Sequence, residues 1–316
     1  MAHPLARAAG EVVFKIEDAA SYDSVVDDFD LLTSRYTIPI AEKLIGVAGL
    51  VPGHEVLDVG CGTGVLTQLA AREVGMQGRA VGIDLSDGML SKAKALVEGT
   101  QLGGRMAFVK GDAERMPFPD ARFRSVVSLY ALRHFPDPEQ ALREMFRCCA
   151  PGGRTLVAVG SAPPLLSADF FKAGIRLLSN RLLGLAGRAP LYATGFLDQL
   201  ITHSLGQLDS AEHAAWTHGV KQYSGTVAGL MHKVGFRDIR SVWVGHAAVL
   251  NSVDEFWTLQ VTLSSYARKR IQAASPEQVE TLRAEFDRIC GHHRARGARL
   301  VYRSGALATT GLRPIG

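Results

Sequence analysis

Short apolar runs alternate with amphipathic segments along most of the chain. Apolar runs bounded by turn residues are typical of buried parallel strands, and the amphipathic segments between them have the length of crossover helices. This alternation predicts an α/β fold with a doubly wound, mostly parallel sheet. The strands predicted first are Glu55–Val59, Ala80–Asp84, Met106–Gly111, Phe123–Tyr130 and Arg154–Gly160.

The C-terminal part of the chain repeats this pattern with a longer interruption. A helix is predicted over Gly225–Val234, followed by strands over Phe236–Val244 and Leu300–Ala308. The stretch between these two strands, Val253–His293, has helical periodicity and is long for a hairpin connection. We therefore expect it to pack beside another helical insertion and to help shape a substrate pocket.

The first predicted strand runs directly into a turn that contains Gly60, Gly62 and Gly64 and then opens a helix. A backbone without side chains can approach a ligand closely. The dinucleotide fingerprint G-x-G-x-x-G needs its third glycine one residue later, where Val65 stands. The spacing therefore tells against NAD or FAD as the ligand.

The next two strands each end near an acid. Asp84 closes the second strand about twenty residues after the glycine turn, where a ribose-binding acid belongs. Alternatively, Asp84 or Ser86 is the N-cap of the helix that follows. Asp112 lies just past the third strand, and strand-end aspartates are also ordinary turn residues.

The fourth strand leads into the segment Tyr130–Asp137. A helix is predicted from Pro138 to Cys149, and it is stopped by the sequence Pro-Gly-Gly over residues 151–153.

These elements together resemble the class I S-adenosylmethionine (SAM)-dependent methyltransferases. Residues 55–64 resemble motif I of that family, and the order of the later elements resembles its type 11 branch, which includes the ubiquinone and menaquinone C-methyltransferases. The resemblance is close over residues 51–160 and follows element order elsewhere. It implies a Rossmann-like, seven-stranded, mostly parallel sheet that ends in an antiparallel hairpin, and SAM as the cofactor with S-adenosylhomocysteine as its product.

The resemblance also implies roles for individual residues. Asp84 would accept hydrogen bonds from the ribose hydroxyls, and Leu85 would lie against the adenine ring. Asp112 would receive the adenine amino group, with the Ala113 amide facing the ring. The full set of predicted cofactor-binding residues is Asp58, Gly60, Cys61, Gly62, Gly64, Asp84, Leu85, Met89, Asp112, Ala113 and Tyr130.

Two helical regions flank the predicted core. Residues 20–48 show a helical pattern broken at Pro39, and in related enzymes such a segment covers the cofactor. Tyr22 and Tyr36 are candidates for the substrate pocket, although simple packing is the favoured alternative for both. Tyr130 is a further candidate for lining the acceptor pocket.

The second flanking region, residues 161–217, is predicted to be a helical lid insertion. Its apolar side chains are spaced alternately by four and three residues, and basic residues occupy the other side of the helix. The favoured interpretation is a lid or a dimer helix that packs on its own protein. The alternative is a helix that contacts a membrane or a lipidic substrate. The sequence therefore predicts four regions: an N-terminal helical cover (1–50), the SAM-binding core (51–160), the helical lid insertion (161–217) and the C-terminal part of the core with its helical insertion (218–316). The apolar residues are Phe171, which we also assign to the substrate pocket, Ile175, Leu178, Leu182 and Leu185, and the basic residues are Lys172, Arg176, Arg181 and Arg188.

His134 follows the fourth strand and is the candidate general base, because the pKa of an ordinary histidine lies near neutrality. A histidine before Phe-Pro-Asp is common in the type 11 branch whatever the activity, which favours a structural hydrogen bond instead. His203, His213 and His218 are weaker candidates, since nothing in the sequence fixes their geometry.

Composition narrows the remaining choices. The chain has 316 residues, of which 47% are hydrophobic and 21% are charged. This is enough apolar material for a large core. A net charge of +4 without basic tracts gives no support to a nucleic-acid partner. The sequence has no apolar signal segment and no run that approaches a membrane span, so a cytoplasmic protein is expected.

The four cysteines do not have the spacing of a disulfide framework or a metal site. Two of them could be thiolate ligands of a metalloid substrate, but their place beside the apolar stripe of the helix from Pro138 favours packing. No metal ion is predicted, because no cluster of Asp or His remains after the cofactor contacts are assigned. The cysteines are Cys61, Cys148, Cys149 and Cys290.

The sequence thus predicts a SAM-dependent methyltransferase, a monomer or homodimer, that acts on a small or medium, fairly apolar acceptor. O-methylation of a secondary metabolite is favoured slightly over C-methylation of a quinone or other lipidic acceptor. A SAM-binding protein without transferase activity, such as a cyclase or a regulator, is the alternative from another class.

Overall fold

The computed structural model describes residues 4–165, 167–185, 188–206 and 226–315, and side chains from residue 12 onward. These residues form two compact units. The first contains residues 4–161, 226–244 and 306–315, and the second contains residues 162–206 and 245–305. The two units therefore interleave along the chain, and the last two strands contribute residues to both.

The strands of the described residues are, in chain order, β1 (Glu55–Val59), β2 (Arg79–Asp84), β3 (Met106–Lys110), β4 (Phe123–Leu129), β5 (Cys149–Gly160), β6 (Leu191–Tyr192), β7 (Arg237–Leu250) and β8 (Leu300–Leu312). In the first unit the strand order is β3-β2-β1-β4-β5-β8, and β7 pairs with β8. In this spatial order, each strand from β3 through β2, β1 and β4 to β5 is parallel to its neighbours, whereas β8 is antiparallel to β5.

The helices of the described residues are α1 (Pro4–Asp23), α2 (Val26–Tyr36), α3 (Ile38–Ala48), α4 (Val65–Glu73), α5 (Asp87–Val97), α6 (Pro138–Cys148), α7 (Ala168–Leu185), α8 (Phe196–Leu205), α9 (Val227–Val234), α10 (Val253–Leu263), α11 (Ser265–Ala273) and α12 (Pro276–Ala295).

The central strands are buried on both faces, which explains why they appear as continuous apolar runs. Successive side chains of β1 point to opposite faces, so Val56 packs with α3 and α4 while Leu57 packs with α6 and α9. In β4, Val127 lies in the same core as Val56, and Val126 lies in the same core as Leu57. Two hydrophobic layers therefore hold the sheet between helices, as the predicted doubly wound fold requires.

The fold class is confirmed, with local differences from the prediction. The described residues contain eight strands rather than seven, the additional one being the two-residue β6 of the second unit. The predicted Pro-Gly-Gly stop at 151–153 lies inside β5, opposite an irregularity in the pairing with β4. Both terminal strands extend beyond their predicted ends.

The N-terminal region contains more helix than predicted. Helix α1 begins at Pro4, well before the predicted start at Ala20, and the break between α2 and α3 falls at Thr37. Pro39 lies in the first turn of α3, where a backbone N–H has no helical partner to lose.

The second unit has its own hydrophobic core. Phe256 and Phe286 are fully buried, and the ring of Phe196 packs against both. Helices α8, α10, α11 and α12 contact one another around this core, and β6 pairs with the first residues of β8. Part of the predicted lid and the helical stretch after β7 thus belong to one unit. The predicted boundary at residues 217 and 218 lies outside the described residues.

Candidate functional site

The candidate site lies at the carboxyl edge of the sheet, where β1 and β4 are neighbours. From β1 the chain continues to β2 on one side, whereas β4 and β5 extend the sheet on the other. In open α/β sheets, ligands bind outside the strand ends at such a reversal of strand order. The glycine turn after β1 and the segment after β4 both lie at this edge of the sheet.

These two segments approach closely because Gly60 has no side chain. A Cβ atom at Gly60 would lie 2.2 Å from the Cβ of Ala131, so no other residue fits there without movement of the chain. At Gly64 a Cβ atom would lie 2.9 Å from the Phe108 ring. Packing therefore gives both glycines a role in addition to the ligand approach predicted from the sequence.

Gly62 is different, since a Cβ atom there would meet only the Phe29 ring, at an ordinary 3.5 Å. Its backbone has a φ of +53°, in the left-handed region that favours glycine. Space inside the protein does not require glycine at this position. The left-handed backbone is the requirement that the structure shows, and the ligand approach stays a prediction.

Asp84 joins the glycine turn to the end of β2. One carboxylate oxygen accepts a hydrogen bond from the Gly62 N–H at 2.8 Å, and the other accepts from the Ser86 N–H at 3.0 Å. Burial raises the pKa of Asp84, and these backbone donors oppose that rise. Each oxygen keeps a further lone pair, so the carboxylate can still accept hydrogen bonds from two hydroxyl groups.

The structure separates the two roles considered for Asp84 and Ser86. Ser86 is the N-cap of α5, because its hydroxyl accepts a hydrogen bond from the Met89 N–H at 3.0 Å. Asp84 is thus not the helix cap. Leu85, next to Asp84 in the chain, is half-buried, whereas Met89 is buried in the core, so the predicted cofactor contact of Met89 stays a prediction.

Asp58 lies beneath the glycine turn rather than at its surface. It is buried, and its carboxylate accepts a hydrogen bond from the Thr67 hydroxyl of α4 at 2.6 Å. Burial raises the pKa of Asp58 to about 7, and the nearby Asp84 adds to the increase. The predicted cofactor contact of Asp58 stays a prediction. The observed contact supports the start of α4.

Asp112 has a cation as its partner. Lys15 of α1 donates to Asp112 at 2.8 Å and to Glu114 at 2.6 Å, while the other Asp112 oxygen accepts from the Glu114 N–H at 2.9 Å. The last contact is the local turn bond that was the alternative for this residue. Ala113 is buried in the core beside it.

His134 forms part of a three-residue cluster, which we call the His134 cluster. Its Nδ1 lies 2.8 Å from Oδ2 of Asp18, and its Nε2 lies 3.4 Å from the hydroxyl of Tyr22. The Tyr22 and His134 rings meet edge to face, with centroids 5.6 Å apart. Because a carboxylate accepts hydrogen bonds, Asp18 favours a proton on Nδ1 and leaves the lone pair of Nε2 available.

Sequence reasoning missed two α1 residues, Lys15 and Asp18. Together with Tyr22 they are spaced by three and four residues, so they share one face of the helix. The sequence did contain a signal for these residues: one helix face combines a cation, an acid and a tyrosine with apolar neighbours. Asp23, at the end of α1, was also missed, and its carboxylate accepts from the Ser86 hydroxyl and from the Gly88 N–H at 3.0 Å.

The other candidates lie as follows. Tyr130 has a φ of +60°, an unusual backbone conformation at the end of β4, and its side chain is half-buried. Tyr36 is buried, with the Arg35 guanidinium over its ring. Cys61 is buried, and burial raises the pKa of its thiol.

The second unit holds Phe171, which is 57% exposed on α7, and His203 on α8. His213 and His218 lie outside the described residues. Among the residues that the structure describes, no cluster of three or more His, Cys, Asp or Glu side chains could hold a metal ion.

Comparison with known proteins identifies a family model and several relatives. A family model described as a methyltransferase domain matches residues 56–153. The ubiquinone/menaquinone biosynthesis C-methyltransferase UbiE of Ectopseudomonas mendocina (strain ymp) is 39% identical over 173 residues, which are 52% of this chain and 65% of that protein. This chain therefore spans less than two thirds of that relative's length.

A second relative is matched over more of its length. The demethylmenaquinone methyltransferase of Desulfitobacterium hafniense (strain Y51) is 32% identical over 186 residues, which are 55% of this chain and 72% of that protein. Among solved structures, phosphoethanolamine N-methyltransferase 2 of Haemonchus contortus in complex with S-adenosyl-L-methionine has a TM-score of 0.51, with 17% identity over 92% of this chain and 57% of that chain. At this identity the match shows a common fold.

The raised pKa of Asp58 predicts a pH-dependent stability. An unfolded aspartate has a pKa of about 4, whereas that of folded Asp58 is about 7. The folded protein thus binds this proton more tightly, and stability from this group is lost as pH rises from about 4 to about 7. Asp58→Asn, which cannot ionise, should gain about 2–4 kcal/mol of unfolding free energy relative to the wild type over that interval.

Denaturant unfolding at a series of pH values measures this difference. A difference in unfolding free energy that is the same at every pH reflects the substitution itself and does not test the prediction. If the curves of unfolding free energy against pH are parallel for wild type and Asp58→Asn between pH values of about 4 and 7, the pKa of Asp58 is not raised in the folded protein.

Proposed function

This chain belongs to the class I SAM-dependent methyltransferase family, and we propose that it transfers the methyl group of SAM to a ring carbon of an apolar, quinol-type acceptor. The observation that carries the proposal is the contact between Asp18 and His134 at the end of β4, beside the glycine turn. Support for the acceptor class comes from the names of the two relatives, which are a ubiquinone/menaquinone C-methyltransferase and a demethylmenaquinone methyltransferase.

The residues around the glycine turn fit SAM. Gly62 leaves open backbone where the methionine part would approach, and Asp84 has acceptor capacity for the two ribose hydroxyls. The half-buried Leu85 offers apolar surface for the adenine, and Asp112 offers an acid for its amino group. When bound, SAM supplies its methyl group as an electrophile and leaves as S-adenosylhomocysteine.

His134 would serve as the general base. Nε2 takes the hydroxyl proton of a hydroquinone, and the resulting phenolate has increased electron density at the neighbouring ring carbon. That carbon forms the new C–C bond as the S–CH3 bond breaks, and its own proton passes to solvent, which restores the aromatic ring as a phenolate. His134 then returns the hydroxyl proton to the phenolate oxygen. Asp18 holds the imidazole in orientation through Nδ1 and stabilises its positive charge after proton uptake.

The Tyr22 hydroxyl lies at the position from which an acceptor would meet Nε2. At 3.4 Å this contact is long for a hydrogen bond that involves a hydroxyl, so an acceptor hydroxyl can replace it at little cost. Phe29 packs edge to face on Tyr22 and gives this position an apolar, aromatic wall. These contacts favour an aromatic acceptor over a charged one.

The O-methylation of a secondary metabolite, which the sequence favoured slightly, has less support. The same base can activate a hydroxyl that is itself methylated, so the His134 cluster is compatible with both reactions. The relatives are named for carbon methylation and quinone biosynthesis, which favours the alternative. Product analysis by NMR distinguishes a methyl group on carbon from one on oxygen.

Replacement of His134 should lower turnover while SAM binding stays unchanged. With a water-soluble hydroquinone that has an open ring position, His134→Ala should reduce kcat by about 10²–10⁴-fold. Asp18→Asn should also reduce kcat and shift the pH dependence of kcat/KM, because the base loses its charged partner. His232→Ala, an exposed histidine on α9, is the matched control. Wild-type kcat in both His134→Ala and Asp18→Asn would remove the general base from the proposal.

Replacement of the acid at the end of β2 should weaken SAM binding. Asp84→Asn keeps the shape of the side chain but loses the charge, so the dissociation constant measured by calorimetry should rise about 10–100-fold. Gly62→Val should abolish binding, since it adds a branched side chain at a left-handed position that faces the ligand. Asp87→Asn, at an exposed acid three residues along, is the control.

Circular dichroism must show that the variants remain folded. Equal SAM affinity in wild type, Asp84→Asn and Gly62→Val would contradict the assignment of this edge of the sheet to the cofactor.

A further inference from the structure

Helix α7 in the second unit exposes its apolar side. None of its described side chains is buried. Six large aliphatic residues of the helix are exposed, and four of them, Ile175 (69%), Leu178 (63%), Leu182 (65%) and Leu185 (88%), recur every three or four residues. Their spacing places them on one helical face. We call this set, together with Phe171 on the same face, the α7 stripe. Exposed apolar patches of this kind mark interaction sites.

The polar side of α7 is the one that contacts its own unit. The Asn180 side chain donates to the Tyr192 hydroxyl at 2.6 Å, and the guanidinium of Arg303 lies 4.7 Å from the centre of the Tyr192 ring. Arg176, on the same side of the helix as Asn180, is half-buried. A helix on a water-exposed surface normally has the reverse orientation, with its apolar side inward.

The charges around the stripe are nearly all positive. Lys172 and Arg181 border the stripe and Arg188 follows the helix, whereas the helix has a single acid, Asp169. Asp169 already pairs with Lys172 at 3.3 Å. Lys172, Arg181 and Arg188 are exposed. The surface therefore combines apolar side chains with an excess of cations.

We propose that the α7 stripe docks on an anionic lipid surface, with the helix lying in the plane of the interface. Leucine and isoleucine side chains would enter the boundary between headgroups and acyl chains, and the cations would contact lipid phosphates. None of the described helices is long and apolar enough to cross a membrane, so α7 would lie on the bilayer.

Charge complementarity favours lipid over a second copy of the chain. Two α7 stripes face to face would bring together Lys172, Arg181 and Arg188 of each copy with only one acid from each, and the resulting repulsion is reduced only by salt. An anionic bilayer supplies both an apolar layer for the stripe and negative charge for its border. The docking proposed here goes beyond the proposed reaction and does not depend on it.

Co-sedimentation of the full chain with lipid vesicles tests this inference. The wild type should bind vesicles of phosphatidylcholine and phosphatidylglycerol at least ~10-fold more tightly than vesicles of phosphatidylcholine alone, and salt should weaken binding. Leu178→Ser/Leu182→Ser should lower binding to the anionic vesicles at least ~10-fold. Lys172→Gln/Arg181→Gln should also lower it and reduce the salt dependence.

The matched control is Leu31→Ser/Met76→Ser, which replaces equally exposed apolar residues of the first unit, 68% and 80% exposed. It should bind vesicles like the wild type. All substituted side chains are exposed, so unfolding midpoints should not change, and this is checked by circular dichroism.

Three results would overturn the inference. The first is weak vesicle binding by the wild type, and the second is equal binding by the wild type and Leu178→Ser/Leu182→Ser. The third is a dimer that the leucine substitutions dissociate while vesicle binding is unaffected, which would assign the stripe to a second copy. Vesicle binding requires neither SAM nor acceptor, so its failure is separate from a failure of the proposed reaction.

Discussion

A carboxylate held between two backbone amides fixes the edge of the sheet at which the site lies. Asp84 accepts from Gly62 on one side and from Ser86 on the other, so the end of β2 connects the turn after β1 to the start of α5. A buried carboxylate without such donors costs several kcal/mol, and the turn must therefore direct its N–H toward β2. The left-handed backbone at Gly62 meets this requirement, and Gly60 lets the segment after β4 approach the same turn.

The N-terminal helices complete the site with side chains that the sheet does not supply. Lys15 reaches Asp112 and Glu114, Asp18 reaches His134, and Asp23 reaches the start of α5. These contacts place one helix along three strand ends. For His134, the structural hydrogen bond that the sequence favoured and the orientation that a general base needs are the same contact with Asp18. The two interpretations of this histidine are therefore compatible.

Local patterns were sufficient for the fold class and the family, because a strand, a glycine turn and a strand-end acid are each encoded within about twenty residues. Those predictions are confirmed. The Lys15–Asp112 and Asp18–His134 contacts join residues about a hundred positions apart, and no local pattern specifies such pairs. Periodicity also predicted the apolar stripe of α7. It could not show that the stripe faces outward, since that depends on Asn180 and Tyr192 meeting across the second unit.

Calorimetric titration of the purified chain with S-adenosylhomocysteine and with NAD, in parallel, tests the central claim most directly. The claim is that the glycine turn and Asp84 form a site for SAM and its product. Binding of S-adenosylhomocysteine at one site per chain, with no heat change for NAD, is the result expected from the spacing of the glycines and the free acceptor capacity of Asp84. Binding of NAD, or of neither ligand, would contradict it.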